Sequence, residues 1–167
     1  MLQDIIIRRE RPDQPEVVVL LRALDDYLAS LYPPEANHIM DVAALCAPDV
    51  RFFVARETTR AAVPGARIAG TGAVRLMPGE PETDGEPYGE IKRMYVDPAL
   101  RGRRLGVAMV ETLEATLRAE GVSLALLETG RDQTEAVRLY ERAGYAPRGA
   151  FGGYPDNGLS VFYGKRL

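Results

Sequence analysis

The sequence is poor in the residues that build metal centres and disulfide frameworks. Its 167 residues include one cysteine, Cys46, one histidine, His38, and no tryptophan. A single cysteine excludes an internal disulfide and a cysteine-based zinc site, and a single histidine excludes the H-E-x-x-H zinc motif. We therefore expect no metal. Cys46 is predicted to be a small buried apolar residue rather than a nucleophile, and His38 a loop or surface residue.

Long apolar runs and an excess of positive charge are also missing. No stretch approaches the ~20 apolar residues of a membrane-spanning helix. The N-terminal trio Ile5-Ile6-Ile7 is too short for the apolar region of a signal peptide. Lys and Arg together number 21 and Asp and Glu 24, a formal charge of −3, whereas dedicated nucleic-acid or membrane-surface binders carry a net basic face. We expect a cytoplasmic protein without nucleic-acid or membrane partners.

The positive charge is almost all guanidinium. All but two of the 21 basic residues are arginines, the exceptions being Lys92 and Lys165. Arginine is the planar, bidentate binder of phosphate.

The length fits a single compact domain, residues 1–167, because domains usually run to about 100–200 residues. Residues 77–89, rich in proline, glycine and acids, read as a solvated loop between two strands.

Hydrophobic periodicity and turn residues predict the order of the secondary structure. Strands are predicted over residues 4–8, 51–56, 67–76, 89–96, 123–129, 145–150 and 160–166, with a turn region at Pro64-Gly65. Helices are predicted over 15–31, 41–46 (capped by Asp41), 103–120 and 133–143. Residues 123–129 are apolar on both faces and should form a central strand. The order β-α-α-β-β-β-α-β-α-β-β predicts an α+β mixed sheet covered by helices.

The most informative segment joins the strand at 89–96 to the long helix. Asp97-Pro98 turns the chain, and Arg101-Gly102-Arg103-Arg104-Leu105-Gly106 leads into the helix. Free N–H groups and the positive dipole end at a helix N-terminus bind anions, and guanidinium groups add charge-assisted hydrogen bonds. The alternative is a solvated helix start, but three cations at that end are unfavourable without an anion. The pattern favours a phosphate or pyrophosphate ligand.

Two common nucleotide-binding motifs do not account for this loop. The P-loop pattern G-x-x-x-x-G-K-[ST] is absent. Gly70-Thr71-Gly72 lies inside a predicted strand and continues to Arg75, where the dinucleotide pattern G-x-G-x-x-G needs glycine. The anion site is therefore of another kind.

Three segments in order resemble the GCN5-related N-acetyltransferase (GNAT) family. Residues Arg101 to Gly106 resemble its acyl-CoA pyrophosphate loop, [RQ]-x-x-G-x-[GA]. Residues 90–96, EIKRMYV, resemble its central strand, and residues 139–145, LYERAGY, its last helix and following turn. The resemblance implies a mixed, mostly antiparallel sheet with helices on both faces and two splayed parallel central strands. Arg104 replaces the usual glycine, a change tolerable if its φ stays negative.

The resemblance implies acetyl-CoA as cosubstrate and no metal. The loop from Arg101 to Gly106 would bind the pyrophosphate, and Gln133 would take the place of an asparagine that bonds the pantetheine arm. A bulge would leave the backbone N–H groups of Met94, Tyr95 and Val96 free to stabilise negative charge on the thioester oxygen.

The resemblance also suggests roles in proton transfer. Glu90 is the predicted base for the amine proton, with Glu128 as the alternate, and Tyr140 would protonate the departing thiolate. From the residues alone, Glu90 could instead be an ion partner of Lys92 or Arg93, and Tyr140 a core aromatic.

The predicted activity is direct acetyl transfer to the amine of a small molecule or amino acid. Tyr32, Arg93 and Tyr154 are the predicted acceptor contacts. Three alternatives stay open: acetylation of a protein amine, a non-catalytic acyl-CoA-binding module, and a phosphate-binding module for another nucleotide. Many proteins of this family form dimers, so the resemblance also allows a homodimer.

Overall fold

Strands and helices follow one another along the chain in the order that the sequence predicts. The computed structural model describes residues 4–58 and 66–167, so the predicted turn at Pro64-Gly65 lies outside the described residues. The strands are β1 (Ile5–Arg9), β2 (Val50–Glu57), β3 (Ile68–Met77), β4 (Tyr88–Val96), β5 (Leu124–Gly130), β6 (Ala146–Arg148) and β7 (Ser160–Arg166). The helices are α1 (Pro15–Leu31), α2 (Val42–Leu45), α3 (Leu105–Ala119) and α4 (Thr134–Arg142).

The strands form one mixed sheet in the order β1-β2-β3-β4-β5-β7-β6. Every neighbouring pair is antiparallel except β4 and β5, which run parallel. β5 lies inside the sheet, and Leu124 to Leu127 are all buried, as their apolar character on both faces predicts. The predicted α+β, mostly antiparallel sheet is confirmed.

Helices cover both faces of the sheet. In β2, Phe52 and Val54 pack with α1 and α2, whereas Phe53 and Ala55 pack with α3 and α4, because successive side chains of a strand point to opposite faces. Leu113 of α3 is fully buried in the core between the sheet and helices α3 and α4. No helix within the described ranges is long and apolar enough to cross a membrane.

The short helix α2 confirms one expectation and corrects another. Asp41 caps it as predicted, with its side-chain oxygen accepting from Ala44 N–H at 2.8 Å. Cys46, however, is exposed, so its predicted burial is wrong. A single helical turn offers only one inward position, and Leu45 occupies it.

The acidic segment 77–89 is more ordered than a plain solvated loop. Thr83 is buried, and its hydroxyl accepts from Glu80 N–H at 3.0 Å and donates to the carbonyl of Glu86 at 2.8 Å. The Glu80 carboxylate accepts from Tyr88 O–H at 2.9 Å. These contacts tie the segment to the start of β4.

Candidate active site

The two parallel strands separate soon after they meet. β4 and β5 pair only at Gly89 with Ala125 and at Glu90 with Leu126. Beyond these positions β4 continues to Val96 and β5 to Gly130 without pairing with each other. A cleft of about 870 Å³ opens there, lined by both strands, the end of α1, residues 36–40, the start of α3, and α4. The predicted splaying of the central strands is therefore confirmed.

A bulge in β4 lies beside this opening. Arg93 and Met94 stand opposite the single residue Gly72 of β3, and Arg93 has φ +56°. A Cβ at Gly72 would lie 2.7 Å from Met109 Cγ and 2.9 Å from Met94 Sδ, so a larger residue would require these two side chains to move. A bulge bends its strand and re-aims the residues after it, which explains how β4 turns from β5 while still pairing with β3.

The loop before α3 opens one end of the cleft. The first α-helical hydrogen bond runs from Ala108 N–H to the carbonyl of Arg104, at 3.1 Å. The N–H groups of residues 105–107 precede it and have no partner within the helix. A Cβ on Gly106 would come within 3.0 Å of Leu139 Cδ2, so this glycine lets α4 approach the helix start. Free N–H groups at a helix start are what an anion site requires, and anion binding by this loop stays a prediction.

The three arginines of this loop have different surroundings. Arg101 and Arg104 line the cleft, and Arg101 Nη1 lies 3.3 Å from a carboxylate oxygen of Glu135. Arg103 Nη1 instead lies 3.8 Å from Glu57 Oε1 at the end of β2. Of the predicted anion-binding side chains, the structure brings two to the cleft and directs one elsewhere.

The condition set for arginine at position 104, a negative φ, is not met. Its φ is +60°, and α3 begins at Leu105 rather than at residue 103 because this left-handed residue cannot continue a right-handed helix. A residue with a Cβ pays roughly 1–2 kcal/mol in this conformation. The same geometry explains the glycine in the family pattern.

Arg104→Gly should be about 1 kcal/mol more stable than Arg104→Ala. Both variants lack the guanidinium group, so the difference isolates the backbone conformation at the start of α3. Chemical denaturation of the two purified variants measures it. Equal unfolding free energies would mean that position 104 is not held in the left-handed conformation.

Glu90 is buried in the face of the sheet opposite α3. It is 4% exposed, its carboxylate accepts from Tyr154 O–H at 2.7 Å, and Lys92 Nζ lies 4.0 Å away. Burial raises the pKa of Glu90 above its ordinary value, although Lys92 and the Tyr154 hydroxyl oppose the shift. The structure therefore shows Glu90 as an ion partner of Lys92, and its role as the base stays a prediction.

The Glu90→Gln variant should gain stability relative to the parent protein as the pH rises from 4 to 7. A raised pKa in the folded state means that ionising Glu90 costs stability, and this cost appears above the ordinary glutamate pKa of about 4.3. Glutamine does not ionise. Urea denaturation at both pH values tests this, with the exposed Glu82→Gln as control. A stability difference that does not change with pH would contradict it.

The alternate base, Glu128, lies on β5 with a partner that the sequence does not reveal. Its Oε2 is 3.0 Å from Nδ1 of His38, and both residues line the cleft. His38 does lie in a loop, as predicted, but its ring is largely enclosed. Ninety positions separate the two residues, so no local pattern could have signalled the contact.

Tyr140 is both a core aromatic and a residue of the cleft wall. Its ring packs against Tyr145 with centroids 5.8 Å apart, and the residue lines the cleft from α4. Burial raises the pKa of Tyr140 above its ordinary value, so the phenol keeps its proton at neutral pH. No hydrogen bond among the described residues uses this hydroxyl, which leaves the proton free to be donated.

Tyr32 and Gln133 line the cleft near its α4 side. The Tyr32 hydroxyl accepts from Asp132 N–H at 3.0 Å. A Cβ at Gly130 would lie 1.9 Å from that hydroxyl, so the absence of a side chain at the end of β5 leaves the space that the Tyr32 ring occupies. Gln133 precedes the first residue of α4. Contact of Tyr32 with an acceptor stays a prediction, as does that of Gln133 with pantetheine.

The other two predicted acceptor contacts point to different neighbours. Arg93 forms an ion pair with Asp25 of α1, and its side chain is 4% exposed. Tyr154 covers Glu90 and Lys92, and it helps line a second cavity of about 290 Å³ that shares residues 38–40 and Lys92 with the cleft. The structure thus places Tyr154, but not the charged end of Arg93, beside the predicted base.

Across the described ranges, no three His, Cys, Asp or Glu side chains group as a metal site would require.

Known sequences resemble this chain over most of its length. The profile of the family described as Acetyltransferase (GNAT) family matches residues 19–145. A protein of Azospirillum brasilense named IAA acetyltransferase is 42% identical over 166 residues, which cover 99% of this chain and 100% of that protein.

Solved structures share the fold. A Klebsiella pneumoniae subsp. pneumoniae protein, provisionally described as an acyl-CoA N-acyltransferase, superposes with a TM-score of 0.76 and 32% identity over 98% of this chain and 97% of that one. The PaiA N-acetyltransferase of Thermoplasma acidophilum, solved in complex with coenzyme A, has a TM-score of 0.68 and 14% identity over 99% and 100% of the two chains. The second likeness concerns the fold alone.

Proposed function

This chain belongs to the acetyltransferase (GNAT) family, and from this premise we propose that it transfers the acetyl group of acetyl-CoA directly to the amine of a small molecule or amino acid. The observation that carries the proposal is the cleft between β4 and β5. It is lined by the arginine-bearing helix start and by Glu128, and the smaller cavity that holds Glu90 adjoins it. An anionic cosubstrate could therefore bind at the helix start while the acceptor lies beside these carboxylates.

The residues at the helix start fit the pyrophosphate of acetyl-CoA. The N–H groups at the start of α3 and the guanidinium groups of Arg101 and Arg104 offer donors and positive charge on one side of the cleft, and phosphate requires both. The cleft of about 870 Å³ lies within the range of about 300–1,000 Å³ typical of ligand sites. When bound, acetyl-CoA supplies the activated acetyl thioester.

The residues around the middle of the cleft would manage the charge and the protons. Backbone N–H groups of Met94 to Val96 on the free edge of β4 would stabilise negative charge on the thioester oxygen. Glu90 or Glu128 would accept the proton of the attacking amine, directly or through water, and Tyr140 would give a proton to the thiolate. The proton taken at the base and the proton given by Tyr140 balance once both groups re-equilibrate with solvent.

The acceptor side favours a small molecule. The second cavity, about 290 Å³, is at the lower limit of the range for ligand pockets. It contains the buried carboxylate of Glu90 and adjoins Glu128 through His38. Arg75 and Lys92 line it as well, so its carboxylates are already balanced by cations. A compact amine fits this volume better than an extended peptide.

A thiol-release assay tests the proposal. The full-length protein is incubated with acetyl-CoA and a panel of primary amines, amino acids and lysine-bearing peptides, and both free CoA and acetylated product are measured. We expect thiol release that depends on a small amine and exceeds the amine-free background. Preference for a peptide would favour the protein-amine alternative. Tight acetyl-CoA binding without turnover on any amine would favour the non-catalytic module.

A further inference from the structure

His38 and Glu128 form a polar pair on the wall of the cleft. Nδ1 of His38 lies 3.0 Å from Oε2 of Glu128. The two side chains are 21% and 14% exposed, so the pair is largely withdrawn from solvent while both residues still line the cleft.

The imidazole is held from several sides. Lys92 Nζ donates to the backbone carbonyl of His38 at 3.2 Å and to the Tyr154 hydroxyl at 2.8 Å. The Tyr154 and His38 rings pack with centroids 4.9 Å apart. These contacts fix the loop before α2 against β4 and β5, so the ring has a defined orientation although it lies in a loop.

The hydrogen bond to Glu128 determines what the other ring nitrogen can do. An ionised carboxylate only accepts, so Nδ1 carries the proton in this contact and Nε2 of the neutral ring offers a lone pair. No described residue bonds Nε2. A histidine fixed in this way by a carboxylate is arranged to accept a proton.

We propose that His38, oriented by Glu128, is the general base that accepts the proton of the acceptor amine. This rests on the proposed acetyl transfer and names the group that the sequence left between Glu90 and Glu128. The amine gives its first proton to solvent, and the neutral nitrogen then forms its bond to the acetyl carbon and loses a second proton to Nε2 of His38. The carbon–sulfur bond breaks, and the thiolate takes a proton from Tyr140. His38 then releases its proton to solvent, and Tyr140 regains one.

The carboxylates are less well placed for this role. The Glu90 carboxylate already accepts from Tyr154 O–H at 2.7 Å, and Glu90 lines the smaller cavity rather than the main cleft. An oxygen of Glu128 is occupied by His38.

The ring has charged and titratable neighbours on every element that packs around it. They are Glu128 on β5, Glu90 and Lys92 on β4, Arg75 on β3, Asp41 at the start of α2, and Tyr154 in the segment before β7. A change in the rate with pH could arise from any of them. The test must therefore follow the imidazole itself, which is straightforward because the chain has one histidine.

The test begins with the acetyl transfer of the parent protein, using the best amine from the panel. No transfer at that stage would overturn the proposed function before His38 is examined. With activity in hand, His38→Gln and His38→Asn should each lower kcat/KM at pH 7 by about 100-fold, the lower end of what a positioned base contributes. The Kd of acetyl-CoA should not change. The asparagine amide can still donate to Glu128, so this variant keeps the contact without the base.

Three further measurements separate catalysis from a structural role. Glu128→Gln should lose only about tenfold, because its amide oxygen can still accept from Nδ1–H of His38 and only the charge of that hydrogen bond is lost, and the double variant should lose no more than His38→Gln. The acid limb of the parent's kcat/KM profile should follow the titration of the single imidazole NMR signal and be absent from His38→Gln. Glu35→Gln, an exposed change in the same loop, is the control and should behave as the parent.

Two results would overturn the assignment. Full activity in His38→Asn would show that Nε2 takes no part in the reaction. Equal losses in Glu128→Gln and His38→Gln, with the acid limb retained in the latter, would make Glu128 the base and His38 its support. In both cases acetyl transfer by the parent protein would still stand.

Discussion

Tyr140→Phe is expected to lower kcat by about 10²–10⁴-fold, the usual contribution of a positioned general acid. The hydroxyl is the only group lost, and the ring can keep its contact with Tyr145. Burial keeps the phenol protonated by raising its pKa, so the group is a donor throughout the neutral range. Steady-state kinetics should show the loss in kcat, and calorimetry an almost unchanged Kd for acetyl-CoA.

Tyr145→Phe is the matched control for this variant. Tyr145 is also buried, and its hydroxyl has no hydrogen-bond partner among the described residues, but it does not line the cleft. Its removal should leave kcat close to that of the parent protein. If Tyr140→Phe also turned over at the parental rate, Tyr140 would be a core aromatic with no part in the chemistry, as the sequence alone allows.

The second large effect is expected in cosubstrate binding. Arg101→Ala combined with Arg104→Ala should raise the Kd of acetyl-CoA by about 100-fold, because each hydrogen bond between a guanidinium and a phosphate is worth roughly 1.5–3 kcal/mol and both side chains are partly exposed. The difference from the parent protein should shrink as salt is added, since salt screens exposed charges. Calorimetric titration at two salt concentrations measures both effects.

Two controls show whether the location of the charges matters. Arg8→Ala combined with Arg9→Ala removes the same charge from an exposed part of the edge strand β1 and should leave the Kd unchanged. Arg103→Ala should cost less than either Arg101→Ala or Arg104→Ala, because Arg103 is directed toward Glu57. Equal acetyl-CoA affinities in the Arg101/Arg104 variant and the Arg8/Arg9 variant would show that the arginines before α3 are only a solvated helix start.

Cys46 and Arg104 show where local patterns mislead. An apolar cysteine after an apolar turn suggests burial, but α2 is too short to bury more than Leu45. A long amphipathic stripe suggests a helix from residue 103. The turn that leads from the arginine loop into α3, however, places Arg104 at φ +60°. In both cases the outcome depends on how the chain enters or leaves a helix, which periodicity does not describe.

The sequence by itself determined the order of strands and helices, the α+β class and the arginine loop at the start of the long helix. These are local features, because the alternation of apolar residues and the turn residues act over a few positions. The same local motifs carried the resemblance that the family profile and the full-length relative confirm.

Only the tertiary structure decided which polar groups meet in the cleft. His38 and Glu128 are 90 positions apart, and Tyr154 and Glu90 are 64 apart. Such contacts exist because β4 and β5 diverge after two paired positions and because two loops then fold over the gap. They depend on the packing of the whole sheet against its helices, and no short segment of the sequence contains that information.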